Sequence, residues 1–144
     1  MATTHFSGPI KAGTIREGAN VNTGYTLMSQ SAVIDITGAN ATTTVATVPA
    51  NSQIVSCVLS ITTANDDTNA ATVTIGTSAD ADAFLTSTNA KAAAVTFSDV
   101  MTSVATDVGT ADLDVIATFT ATDGDGANGA ATATVLYVQG NNLA

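Results

Sequence analysis

The stretch QIVSCVLSITT at positions 53–63 alternates apolar and polar side chains, and this period of two most restricts what the chain can fold into. Read as a strand, it puts Val55, Cys57, Leu59 and Ile61 on one face. Ser56, Ser60 and Thr62 fall on the other face, together with Ile54 and Val58. The same habit recurs at YTLMSQSAVIDI (25–36), TTTVATV (42–48), ATVTIGT (71–77), LDVIATFT (113–120) and ATATVLYV (131–138). Weaker forms occur at AAAVTFS (92–98) and VMTSVAT (100–106). Turn residues separate these runs: Gly38-Ala39-Asn40, Pro49-Ala50-Asn51, NDDTN at 65–69 and DGDGANG at 123–129. One segment, SADADAFLTSTN (78–89), breaks the pattern. Ser78 and Asp80 are good helix N-caps there, which predicts one short helical turn leading to Phe84 and Leu85.

No segment is long enough to supply the crossover helix of a parallel sheet, and no repeat of fixed period suggests a solenoid. The sequence therefore predicts an all-β protein: one β-sandwich, jelly-roll-like, of about eight short strands over residues 25–144. Its interior should hold Val55, Cys57, Leu59, Ile61, Val73, Ile75, Val115, Phe119, Val135 and Tyr137. A chain of 144 residues can bury roughly two thirds of its unfolded surface, so neither metal nor disulfide is needed for folding.

Residues 1–24 read differently, as an extended N-terminal arm. Gly8-Pro9, Gly13, Gly18 and Gly24 interrupt any period, yet Phe6, Ile10, Ile15 and Val21 recur as spaced apolar residues. A segment with anchors and no core of its own is expected to lie on another surface. The charge divides at the same place. Residues 1–17 carry Lys11, Arg16 and Glu17, a net +1, whereas residues 18–144 carry Lys91 against eleven aspartates, a net −10. So acidic a body repels phosphate backbones, which excludes nucleic acid as a partner. The N-terminus lacks the apolar core of a signal peptide, and Thr, Ser and Asp break the longest apolar runs, so no membrane span is expected.

Chemistry is hard to find. The only histidine is His5, in the arm, and the only cysteine, Cys57, sits on an apolar strand face, where a thiol is inert. Three aspartate pairs stand at i, i+2: Asp80/Asp82, Asp112/Asp114 and Asp123/Asp125. Aspartate is also the residue of turns, and no Arg or Lys near these pairs could hold a substrate. The run Asp123-Gly124-Asp125-Gly126 opens like a calcium loop. An EF-hand counted from Asp123 would need an oxygen ligand at 127 and a glutamate at 134, where this chain has Ala127 and Thr134. No catalytic residue, metal, cofactor or small-molecule substrate is expected; the surface itself is the product.

Three stretches carry a resemblance: the opening HFSGPIKAGTIREGANVNTGYTLMSQS, the Pro-bracketed pair TVATVPANSQIVSCVLSITTA, and the closing ADLDVIATFTATDGDGANGAATATVLYV. Together they make the chain resemble the capsid decoration, or cement, proteins of tailed bacteriophages. The resemblance implies a non-enzymatic virion protein on the outer surface of an icosahedral head, made in the host cytoplasm. It also implies a homotrimer that clamps neighbouring copies of the major capsid protein. Within that picture Phe6, Ile10 and Ile15 would enter shallow apolar grooves on the major capsid protein or a neighbouring subunit, and Lys11 and Arg16 would pair with acids at the rim of that contact. A tail or head-fibre component, and an immunoglobulin-like surface adhesion module, are the alternatives.

Overall fold

The computed structural model describes residues 25–99 and 107–140. Eight strands fill them: β1 (Tyr25–Ile34), β2 (Ala41–Val48), β3 (Ser52–Thr63), β4 (Ala71–Gly76), β5 (Leu85–Asn89), β6 (Ala94–Phe97), β7 (Leu113–Ala121) and β8 (Ala130–Gly140). They form two four-stranded sheets, ordered β1-β8-β3-β6 and β2-β7-β4-β5, and every pairing is antiparallel. Only β4 and β5 are neighbours both in sequence and within a sheet; every other connection carries the chain from one sheet to the other. The expected all-β sandwich is what forms, with its core between the inward faces of the two sheets.

The alternation explains most of that core. Cys57, Leu59 and Ile61 of β3, Val73 and Ile75 of β4, Val115, Ala117 and Phe119 of β7, and Val135 and Tyr137 of β8 are all buried. Val55 is the exception. It is half-exposed, while Ile54, assigned to the outer face, is buried. The reason is a β-bulge: Ile54 stands opposite Tyr137 and Ser56 opposite Leu136, so Val55 is an extra residue without a partner. One inserted residue reverses the facing of everything before it. A second bulge, between Thr44 and Ala46 of β2, lets two successive residues, Val45 and Ala46, both point inward.

The segment 78–89 holds no helix. Residues 77–83 form an irregular turn, closed by Thr77 N–H and Ala83 N–H both donating to the Asp80 carbonyl (2.7 and 3.4 Å). The chain re-enters as β5, and Phe84 and Leu85 are fully buried. Burying those two side chains outweighs the capping preference of Ser78 and Asp80, because a single helical turn is a costly nucleus with little to gain. Gly76 makes the turn fit: a Cβ there would stand 2.1 Å from the Asp80 carbonyl oxygen. The expected strand at 100–106 and the arm at 1–24 lie outside the described residues.

Candidate functional site

Topology gathers loops at one end of the sandwich. Because β3 pairs with β8 and β4 with β7, the β3–β4 loop (64–70) and the β7–β8 loop (122–129) must leave the sheets side by side. They are sewn together by aspartates. Asp67, almost fully buried, accepts the amides of Gly124 (2.8 Å), Asp125 (3.2 Å) and Asn69 (3.0 Å) on its carboxylate. Asp125 accepts the Thr68 amide (2.9 Å) and hydroxyl (2.6 Å), and Asp123 accepts the Asn69 side-chain amide. Asp66 accepts both amides of Asn128 (2.8 and 2.6 Å), and Asn65 donates to the Ile36 carbonyl (2.7 Å), which ties in the β1–β2 connection.

Carboxylate oxygens of Asp67, Asp123 and Asp125 lie within 4.8 Å of one another, a grouping that could hold a cation. Sequence spacing put Asp123 and Asp125 forward; Asp67 comes from a loop more than fifty residues away. Each of the three carboxylates is already an acceptor for the loops' own donors. Lys91 Nζ, moreover, caps the neighbouring carbonyls of Asp67 (2.6 Å), Thr68 (3.3 Å) and Asn69 (2.8 Å). The arrangement is a clasp between loops. Chelator is accordingly expected to leave the melting temperature within about 1 °C of its starting value, since only a ligand of the folded state stabilises it. A drop of several degrees in a thermal melt would reassign the clasp to a cation.

The other paired aspartates act separately or harmlessly. Asp112 accepts the Ala50 amide (2.9 Å) and Asp114 the Thr47 hydroxyl (2.6 Å), so each pins a different part of the β2 end. Asp80 and Asp82 do meet, on an exposed turn; their shared hydrogen bond and mutual repulsion raise the pKa of Asp82. Cys57 is buried, and desolvation pushes its thiol up to about 12. It is no nucleophile at neutral pH.

Four carboxylates are held below the usual range by hydrogen bonds that favour their charged form: Asp35 by Thr37, Asp66 by Asn128, Asp99 by Thr86 and Asp125 by Thr68. A folded-state pKa below the unfolded one stabilises the fold above about pH 4, and that contribution is lost as pH falls through the folded value. The melting temperature is therefore expected to decline on acidification from about pH 5 to about pH 3, and Asp82, shifted the other way, offsets only part of it. A flat profile measured by circular dichroism over that range would show that these exposed bonds carry no stability.

The opposite kind of surface covers the β1-β8-β3-β6 sheet. None of its four strands contains a charged residue or histidine. Among the described residues, the exposed large apolar side chains all belong to it: Leu27, Met28, Val33, Val55, Val95 and Phe97. The register orders the outer face into rows. One row runs Val33, Thr132, Ser60, Val95 across the four strands, and the next Ser31, Thr134, Val58, Phe97. The outer face of the other sheet is instead threonine-rich, through Thr42, Thr44, Thr72, Thr74, Thr118 and Thr120, and carries Asp114. The residues expected to bind a partner, Phe6, Ile10, Lys11, Ile15 and Arg16, lie outside the described residues.

The two-sheet antiparallel sandwich is similar in fold to chains of three bacteriophage capsids. The chain is similar in structure to one in the capsid asymmetric unit of cyanophage Pam1 (TM-score 0.59, 17% identity, covering 92% of this chain and 96% of that one). It is also similar to a chain of the acidic stable capsid of Helicobacter pylori bacteriophage KHP30 (TM-score 0.62, 16% identity, 82% and 94% covered). A third similar chain comes from the capsid of Ralstonia phage GP4 (TM-score 0.56, 14% identity, 87% and 91% covered). No family model and no curated protein matches the sequence.

Proposed function

We propose that this protein is a structural component of a phage virion, a decoration or cement protein that binds the outside of an icosahedral head and stabilises contacts between major capsid protein subunits. The observation that carries this reading is mutual coverage: the similar capsid chains are spanned over 91–96% of their own length. They are whole small sandwiches like this one, rather than domains of a large shell subunit. Electrostatics supports the outer surface, because a body of net −10 is repelled by packaged nucleic acid. The strand order supports the jelly-roll reading, since two sheets of order β1-β8-β3-β6 and β2-β7-β4-β5 wind the chain as paired Greek keys.

Residues 1–24 are the partner-binding arm, with Phe6, Ile10 and Ile15 as apolar anchors and Lys11 and Arg16 as its charged contacts. Assembly as a homotrimer presents three arms together, so weak single contacts become avid through effective concentration. The test uses heads lacking the native protein. Full-length protein is expected to bind in hundreds of copies spread over the head, whereas a form starting at Tyr25 should keep its melting temperature and fail to bind. Binding of a few copies at one vertex would favour a tail or fibre role, and full occupancy by the shortened form would remove the arm's role.

A further inference from the structure

We propose that the uncharged outer face of the β1-β8-β3-β6 sheet is the seat for residues 1–24 of a neighbouring copy, so that arm exchange joins the subunits. This inference rests on the reading of residues 1–24 as a binding arm, and it names the surface that receives it.

The face needs a cover. Strands of 10, 12, 4 and 11 residues, spaced about 4.8 Å apart at about 3.3 Å per residue, make it roughly 600 Å². The face carries no charge, and exposed apolar side chains stand at both of its edges, on β1 and β6. Its pattern suits an extended chain. In the row Val33, Thr132, Ser60, Val95, two exposed apolar side chains flank two hydroxyls. Serine and threonine hydroxyls both donate and accept, so they can meet the peptide groups of a segment that has no ladder of its own. The flanking valines stand three strand spacings apart, about 14 Å. Phe6 and Ile10, four residues apart, would lie on one side of an extended chain about 13 Å apart, which matches the spacing of the two valines.

Charge and reach both suit the arm of a neighbouring copy. The segment holds two of the chain's three basic residues, and Asp35 and Asp99 lie just beyond the ends of β1 and β6. Twenty-four extended residues span up to about 80 Å, about twice the length of the longest strand. A segment of that reach is long enough to extend from one copy onto the face of the next. Each copy offers one arm and one face, a head-to-tail contact that closes into a ring such as the proposed trimer.

The test is complementation. Protein starting at Tyr25 keeps the face and lacks the arm; full-length Val33→Asp/Val95→Asp keeps the arm and carries charge on the face. A full-length Phe97→Ser/Val95→Ser protein is the milder second variant, and circular dichroism verifies that all three are folded. Alone, each is expected to be monomeric in light scattering, while full-length protein self-associates and the first two mixed form a 1:1 complex. A synthetic peptide of residues 1–24 should bind the Tyr25 form and lose at least tenfold in affinity to its Val95→Asp version. A mixture that stays monomeric, with no peptide binding, overturns the inference. If full-length protein still decorates heads in that case and the Tyr25 form does not, the arm engages the capsid alone and the proposed function stands.

Discussion

Phe119→Ala is expected to cost about 3–5 kcal/mol in urea or thermal unfolding, lowering the melting temperature of a domain this size by roughly 10–15 °C. Phe119 is fully buried on the central strand β7, opposite Ala41 of β2 on one side and Val73 of β4 on the other. Its small neighbour cannot collapse into the vacated volume, so the loss includes a cavity as well as transfer. Phe97→Ala supplies the contrast. Phe97 is 64% exposed on the edge strand β6, and its removal should change stability by less than about 0.5 kcal/mol. Equal, small losses for both would mean that the inward face of β7 is misassigned.

Asp67→Ala should be the most damaging polar substitution, at about 3 kcal/mol. Three backbone amides, of Asn69, Gly124 and Asp125, donate to its buried carboxylate. Truncation leaves them without an acceptor, and each unsatisfied buried donor costs on the order of 1 kcal/mol or more. Asp67→Asn keeps one acceptor oxygen and should lose about half as much. By comparison, Asp123→Asn with Asp125→Asn removes only exposed acceptors and should cost under about 1 kcal/mol. Urea unfolding of the three variants orders them, and an Asp67→Ala loss below that of the double variant would show that the clasp is not held by Asp67.

Asp67 also shows why part of the site was illegible. In the sequence it is one aspartate of NDDTN, indistinguishable from Asp66 as turn chemistry. Its burial follows from pairings between β3 and β8 and between β4 and β7, which bring residues more than fifty positions apart into contact. A local pattern carries no information about that. The uncharged face is different: the lack of charge in 25–34, 52–63, 94–97 and 130–140 is legible, but only the strand order shows that these four segments form one surface.

Period-two alternation determined, by itself, that the chain folds as strands, where most of them lie, and which side of β4, β7 and β8 is buried, because facing along a strand is a property of neighbouring residues. It failed at two kinds of place. At Val55 a bulge inserted one residue and exchanged Val55 for Ile54 in the core, since the register of β3 is set by its partner β8. Before Phe84 and Leu85 an expected helical turn gave way to an irregular turn, because the space between the sheets had to be filled and a tight turn against Gly76 let those side chains reach it. Strand order, bulge position and the convergence of loops are decided by contacts between distant segments, whose energy no window of adjacent residues contains; that is why only the tertiary structure decided them.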